Sequence, residues 1–302
     1  MTDNVPTAPV CDICGGPLSA CYPAVPDPQT GEIFRIDRCL SCELGQTLPQ
    51  PADMGPYYGQ LYHSGRHGVT DRMCMERRLR FVSHVAEPGR LLDFGCGDGG
   101  FIAAARAEGW DAAGVEMQPD QARAKGLTVF ERIEDAPGSY DIITLWHSLE
   151  HVAAPRPTLE RLLKLLKPGG HMIIAVPNWA SWQARLFGRR WFHIDAPRHL
   201  FHFTPRALQR LLEGQGLALV RRWDLEFEID LFGWTQSALN LVLPRPNVLF
   251  DVVTRRGRAH RLAEIVASVV LGGVVTLASA PIVPVAASRG RGAVMVVAAR
   301  AS

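Results

Sequence analysis

Leu91-Leu92-Asp93-Phe94-Gly95-Cys96-Gly97-Asp98-Gly99-Gly100-Phe101 is an apolar run that breaks into a glycine-rich turn and continues into an alanine-rich segment. The order predicts a strand, a tight turn and a helix. Glycine at 95, 97 and 99 removes side chains where the backbone must turn and where a ligand can touch the main chain. The helix opening near Gly100 offers N–H groups that have no partner of their own. This is the build of a cofactor cradle. Downstream, Trp110-Asp111-Ala112-Ala113-Gly114-Val115-Glu116 predicts a second short strand ending in an acid, roughly 20 residues past the glycines, the spacing of a nucleotide-binding unit. A carboxylate there can accept hydrogen bonds from both hydroxyls of a ribose; the plainer reading of Glu116 is a surface acid at a strand end.

Three further blocks follow in order: Gly114-Val115-Glu116, then Tyr140-Asp141-Ile142-Ile143-Thr144-Leu145-Trp146-His147-Ser148-Leu149-Glu150-His151-Val152, then Leu165 to Asn178 with Lys167-Pro168-Gly169-Gly170 inside it. With the glycine turn they resemble a class I S-adenosylmethionine-dependent methyltransferase over about residues 75–225, and a dehydrogenase reading recedes. The resemblance implies an α/β Rossmann-like sheet, mostly parallel with an antiparallel last strand. It also implies S-adenosylmethionine as cofactor, held by Asp93, Phe94, Gly95, Cys96, Gly97, Gly99, Glu116, Met117, Ile133, Glu134 and Trp146. The turn after the third strand, Arg132 to Glu134, would face the adenine.

Around this frame, 302 residues with 47% hydrophobic content suffice for a full α/β core and additions. A formal net charge of +2 gives no phosphate track, so nucleic acid is not an expected partner. Met1 to Pro9 is polar and proline-rich without an apolar signal core, which predicts a cytoplasmic chain.

Four of the seven cysteines form Cys11-Asp12-Ile13-Cys14 and Cys39-Leu40-Ser41-Cys42. Two C-x-x-C knuckles at this separation predict a structural zinc site, because four thiolates leave no open position for water or substrate. A redox dithiol is the competing reading, and Cys21 is taken as incidental. Zinc modules of this kind are similar to those of some sugar C-methyltransferases and of many bacterial methyltransferases. Tyr57, Tyr58 and Tyr62 then either cap the cofactor pocket or pack the ribbon against the body, and residues 71–85 predict an amphipathic helix.

In the body, helices are expected over 119–125 and 159–166, the latter stopped by Pro168-Gly169-Gly170, and strands over 127–130, 141–145 and 171–176. Ligands of such sheets lie at the carboxyl ends of the strands. His147, Glu150 and His151 follow the fourth strand at i, i+3, i+4. On a helical turn they would share a face and could hold a divalent metal. The arrangement resembles the E-x-x-E-H of ubiquinone-biosynthesis O-methyltransferases, with His147 in place of the first Glu; otherwise Glu150 and His151 cap the turn or line the pocket. A second cluster, Trp191 to Pro205, mixes histidines, aromatics and Arg198, which could grip a carboxylate or phosphate. His147, His199 and His202 are the catalytic candidates, His199 and His202 as general bases; alternatively His199 shapes the lid through the backbone.

Residues 217–228 and 293–300 predict the last two strands. Between them, residues 265–288 carry no charge, just after the basic run Arg255-Arg256-Gly257-Arg258-Ala259-His260-Arg261. The stretch is long enough to cross a bilayer. A single crossing conflicts with a last strand that must rejoin the sheet, so an interfacial or re-entrant hairpin on an anionic cytosolic membrane surface, or a helix pair in a homo-oligomer, is expected. The chain thus divides into a zinc ribbon (1–55), a methyltransferase domain (56–230), an apolar helical insertion (231–288) and a final strand (289–302). The expected reaction is methyl transfer to a hydroxyl of a hydrophobic or lipid-linked small molecule. A sugar C- or O-methyltransferase and a non-catalytic cofactor-sensing scaffold are the alternatives.

Overall fold

The computed structural model of the chain describes residues 9–58, 69–254 and 260–301. Tyr62, the arginines at 255, 256 and 258, and residues 1–8 of the amino-terminal stretch lie outside them.

The amino-terminal module is an antiparallel meander of β1 (Leu18–Pro26), β2 (Ile33–Cys39) and β3 (Gly45–Leu48). Strand β2 alternates over its first half, with Phe34 and Ile36 buried and Ile33 and Arg35 exposed, and breaks the alternation at Asp37, which is buried beside an exposed Arg38. Next comes the helix α1 (Val69–Ser83), which covers the predicted amphipathic stretch and lays Phe81 and Val82 on the main sheet.

The body alternates β4 (Arg90–Phe94), α2 (Gly100–Ala107), β5 (Asp111–Val115), α3 (Asp120–Ala124), β6 (Val129–Phe130), β7 (Tyr140–Trp146), α4 (Pro155–Leu163) and β8 (Leu166–Pro177). After it follow α5 (Trp182–Phe187), β9 (Phe201–His202), α6 (Pro205–Glu213) and β10 (Leu217–Trp223). The insertion comprises α7 (Phe227–Val242), α8 (Val248–Val253), α9 (Leu262–Ser279) and α10 (Ile282–Ser288), and β11 (Val294–Ala301) ends the described chain.

Seven strands form the main sheet in the order β10-β11-β8-β7-β4-β5-β6. The pairs from β8 to β6 are parallel, and β11 runs antiparallel to both β8 and β10. Every central strand is buried on both faces, as a doubly covered sheet requires. Ile143, Leu145, Met172, Ile174 and Val297 face one core with α4 and α6. Ile142, Trp146, Ile173 and Val296 face the other with α1 and α2. Each such aliphatic side chain contributes roughly 2 kcal/mol on burial.

Two expectations are corrected, and one link between the modules was not foreseen. Helix α4 ends at Leu163, because Leu166 already pairs with Tyr140; Pro168-Gly169-Gly170 sits inside β8 as a bulge, with Gly169 at φ +74°, between the Tyr140 and Ile142 registers. Strand β10 stops at Trp223, and Phe227 opens α7, so the insertion starts ahead of residue 231. The ribbon is also not closed on itself: β9, from the body, adds a fourth strand to it through the pairs Gly45↔His202 and Gln46↔Phe201.

Candidate active site

The glycine turn emerges from β4 at the carboxyl edge of the sheet. Gly95, at φ +73°, has Ser148 so close that a β-carbon would lie 2.4 Å from its Oγ. Gly97, at φ +55°, faces open space, so its main chain is free to meet a ligand. Glu116, one residue past β5, accepts the Gly97 N–H at 2.9 Å through Oε2 and the Gln118 N–H at 3.3 Å through Oε1. The acid and the turn predicted to act together do meet.

Of the other predicted cofactor residues, Met117 is 84% exposed beside Glu116. Cys96 is buried under Gly114. Asp93 is buried and accepts the Thr144 hydroxyl at 2.7 Å; burial pushes its carboxyl up to about 7, against the pull of that hydrogen bond. Phe94 is half-buried against the first core. Ile133 is buried, while Glu134 pairs with Arg161 at 3.1 Å on the surface. Trp146 is enclosed by Phe81 and Phe101, with the Arg78 guanidinium 5.0 Å from its ring centre.

The shared helical face expected of His147, Glu150 and His151 does not form. His147 adopts φ +51° before a short 3-10 turn, Leu149–His151, and its Nε2 is taken by Glu226 at 2.7 Å. Its Nδ1 stands 3.7 Å from Glu150 Oε1, an ionic rather than a hydrogen-bonding distance. Burial opposes its charge, but Glu226 and Glu150 outweigh that and raise it to about 9. Glu226, fully buried just before α7, was missed from the sequence. Its only signal was an acid isolated between Leu225 and Phe227.

Glu150 and His151 instead converge with His199, their ligand atoms lying within 4.8 Å of one another. Glu150 is 1% exposed, and neither of its oxygens has a hydrogen-bond partner among the described residues. His151 Nδ1 lies 2.8 Å from the carbonyl of Arg198, and His199 Nδ1 lies 2.8 Å from the carbonyl of His193. A carbonyl only accepts, so both Nδ1 atoms carry the hydrogen and both Nε2 atoms present a lone pair. Burial and the neighbouring His199 lower His151 to about 4, keeping it neutral. Burial also works against charge on Glu150, but the charged His147 beside it holds its carboxyl down to about 2. Tyr58 reaches this cluster through its hydroxyl, 3.2 Å from His151 Nδ1, whereas Tyr57 packs on Phe34 in the ribbon. One tyrosine lines the site and the other joins the modules.

Two predicted residues belong elsewhere. His202 lies in β9, buried against Trp179, with Nε2 3.0 Å from Thr47 Oγ1: a seam between ribbon and body. Burial, then His199, lowers its pKa to about 3. Arg198 does not face a ligand; it is buried and pairs with Asp195 at 2.6 Å and with Asp27 of the β1–β2 turn at 2.9 Å.

At the other end of the ribbon, Cys11, Cys14, Cys39 and Cys42 bring four sulfurs within 4.8 Å of one another, Cys11 to Cys42 at 3.5 Å and Cys14 to Cys39 at 3.4 Å. The backbone N–H groups of Ser41 and Cys42 both donate to Cys39 Sγ at 3.4 Å. They outweigh burial and pull that thiol down to about 7, while burial pushes Cys11 up to about 11. Four convergent sulfurs with amide support are the donor set of a tetrahedral thiolate site.

The sequence profile of the methyltransferase domain family matches residues 66–222. Among individual relatives, a ubiquinone biosynthesis O-methyltransferase of Pectobacterium carotovorum is 34% identical over 141 residues, covering 40% of this chain and 59% of that one. Its counterpart in Methylococcus capsulatus is 27% identical over 191 residues, 58% of this chain and 78% of that one. A S-adenosylmethionine-dependent methyltransferase structure from Archaeoglobus fulgidus superposes with a TM-score of 0.47 at 18% identity, over 77% of this chain and 95% of that one. The family match spans the glycine turn, Glu116, the 3-10 turn with Glu150 and His151, and the lid with His199, and on it the chain belongs to the methyltransferase domain family as a class I S-adenosylmethionine-dependent enzyme.

Proposed function

We propose that this enzyme transfers the methyl group of S-adenosylmethionine to a hydroxyl of a hydrophobic or lipid-linked small molecule, and that Glu150, His151 and His199 receive that hydroxyl. The observation that carries the reading is the buried Glu150 carboxylate, without a hydrogen-bond partner among the described residues, facing two imidazole lone pairs beside the carboxyl end of β7. His147 balances its charge at 3.7 Å, but a buried carboxylate that accepts no hydrogen bond is costly, so the site is built for a donor that enters it. Support for the hydroxyl comes from the relatives named as ubiquinone biosynthesis O-methyltransferases.

In this reading the turn from Gly95 to Gly99 would hold S-adenosylmethionine, with Glu116 taking its ribose hydroxyls and Met117, Ile133 and Glu134 facing its adenine. Asp93, Phe94, Cys96 and Trp146 back the turn from beneath. A hydroxyl among Glu150, His151 and His199 donates its hydrogen bond to the carboxylate, which raises electron density on the oxygen. The oxygen–methyl bond forms as the sulfonium–methyl bond breaks, and the proton stays with the cluster. Burial keeps water out and positions the acceptor in line.

The expected divalent metal site is thereby redrawn, with His199 replacing His147. Two imidazoles, each held by a carbonyl at its Nδ1, and one carboxylate that accepts no hydrogen bond among the described residues fit a divalent cation. Bound there, such a cation would acidify the acceptor hydroxyl. The four cysteines hold a structural zinc ion.

The test is turnover with hydroxylated quinone-type and glycan-type acceptors, alongside calorimetric binding of S-adenosylmethionine. Glu150→Gln and His199→Ala are expected to lower turnover about 100-fold or more with cofactor affinity unchanged. Unchanged turnover in both variants would remove the cluster from the chemistry, and turnover on glycans alone would move the assignment to sugar methylation.

A further inference from the structure

Helix α9 is packed inside out. The stripe it turns toward the protein is Ser268, Gly272, Thr276 and Ser279, at i, i+4, i+8 and i+11. The stripe it turns outward is Val266, Val269, Val270, Val274 and Leu277, at the same helical spacing and between 52% and 79% exposed. In water the arrangement is reversed, with large apolar residues inward.

The inward contacts are those of a helix pair held by close approach and hydroxyl bonds. A β-carbon on Gly272 would sit 3.0 Å from Leu249 of α8 and 3.6 Å from Thr235 and Leu239 of α7. Thr276 Oγ1 meets Thr235 Oγ1 at 2.7 Å, and Ser268, Thr276 and Ser279 each return a hydrogen bond to a carbonyl of their own helix. Helix α7 shares the pattern in part, its buried face carrying Trp234 and Leu239 beside polar residues. Thr235, Gln236, Ser237 and Asn240 are buried, and Gln236 and Asn240 bond each other and the turn into α8, while Leu241 and Val242 lie outside with Val252 and Val253 of α8. Small residues and satisfied hydroxyls within, valine and leucine without, is how helices associate when hydrocarbon surrounds them.

Basic residues flank the apolar segment in sequence. From Ile265 to Ser288 no charged residue occurs, whereas Arg255, Arg256, Arg258 and Arg261 precede α9 in sequence and Arg289 and Arg291 follow α10. The two acids nearby are engaged: Asp251 holds His260 at 2.7 Å and Glu264 holds Arg245 at 3.3 Å. Basic residues on both sides of an apolar segment in sequence complement an anionic headgroup layer. Helix α9 is about 27 Å long at 1.5 Å per residue. It cannot cross, because His260 ties its start to α8, and after its end Val283 of α10 is buried with Trp234 before β11 enters the sheet. Any lipid contact of this patch is therefore confined to one leaflet.

From these observations we infer that α7, α8 and α9 form a lipid-embedded platform that docks the enzyme on an anionic membrane surface. The inference goes beyond the proposed reaction and assumes nothing about the acceptor. The platform also touches the lid: Phe192 N–H donates to Ser237 Oγ at 2.9 Å, and the Phe192 ring packs on Phe232 and Phe250. The same lid segment supplies the His193 carbonyl that orients His199. A bound membrane thus lies two contacts from the proposed acceptor site.

The experiment is flotation of the full zinc-loaded chain with vesicles of phosphatidylcholine, with and without phosphatidylglycerol. Wild type should float with the anionic vesicles and lose most of that binding at high salt. Val270→Asp and Leu277→Asp, both on the outward face, should lower partitioning about tenfold or more while leaving the thermal midpoint and S-adenosylmethionine affinity unchanged. Wild type that stays in solution with both vesicles overturns the inference, as does equal flotation of wild type and variants. A soluble dimer that Leu277→Asp dissociates, without flotation, overturns it in favour of a second copy of the chain. Loss of methyl transfer in vesicle-bound enzyme would bear on the reaction alone.

Discussion

Asp93 Oδ1 accepts the Thr144 hydroxyl at 2.7 Å between two residues that are register partners across β4 and β7. The bond sits in the centre of the sheet, directly beneath the glycine turn. It ties the strand that carries the cofactor turn to the strand that ends at Trp146 and the site.

This pair makes stability depend on pH in a defined direction. Burial raises Asp93 to about 7 from its ordinary 3.8, so between those values the folded chain binds a proton that the unfolded chain releases. Folding stability should therefore fall as pH rises through that window, by roughly 1.4 kcal/mol per pH unit from this group. Urea denaturation at about pH 5 and about pH 8 checks it: Asp93→Asn keeps the hydrogen bond and should flatten the slope. An identical slope in wild type and variant would show that Asp93 is ionised when folded.

Glu116 should prove the strongest single determinant of cofactor affinity. Its carboxylate already reaches the Gly97 N–H, so it is held at the turn before any ligand arrives and loses little freedom on binding. Two charge-assisted bonds to ribose hydroxyls are worth about 1.5–3 kcal/mol each. Calorimetry of Glu116→Ala should show S-adenosylmethionine binding weakened at least about 100-fold, with the fold intact. Wild-type affinity in that variant would return Glu116 to the status of a surface acid.

Where local chemistry dictated position, the sequence was sufficient. Glycines that must turn, an acid at a strand end and paired C-x-x-C knuckles each specify their own geometry, and they meet as expected. What the sequence could not carry was register between distant segments. Whether His151 pairs with His147 or His199 depends on how residues 188–200 fold back over the sheet, and the left-handed backbone of His147 turns it toward Glu226, 79 residues away. Arg198 looked like a ligand hook because, although Asp195 stands three residues before it, its other acid, Asp27, lies in the ribbon and reaches it only once the fold is assembled. The charge-free stretch was legible as an insertion, but its inverted packing appears only once α7 and α8 lie against it.

Arg198 should behave as a structural clamp. Its guanidinium is buried and joins the lid to the β1–β2 turn through Asp195, Asp27 and the Tyr57 carbonyl. Removing the guanidinium leaves Asp27 buried, and Asp195 partly buried, without their cation, which costs about 3 kcal/mol. Arg198→Ala should lower the denaturation midpoint accordingly. Arg198→Lys should recover only part of it, because an ammonium cannot bridge both carboxylates as the planar guanidinium does. A variant of wild-type stability with a raised KM for the acceptor would mean that the side chain reaches substrate.

The zinc ribbon should reach the chemistry through β3. That strand pairs with β9, the Thr47 hydroxyl donates to the His199 carbonyl at 2.7 Å, and the Thr47 N–H donates to the Leu200 carbonyl at 3.0 Å. The segment that positions His199 is thus held from the ribbon side. Cys39→Ser removes a thiolate that also accepts two backbone N–H groups, so it should release about one zinc per chain and loosen the meander. Turnover should then fall, while cofactor affinity, set at the β4 and β5 end of the sheet, stays near wild type. Thr47→Val separates the contact from the metal: it should keep zinc, cost about 1 kcal/mol of stability and lower turnover in part. Full turnover in both variants would show that the ribbon is carried beside the catalytic domain without bracing its lid.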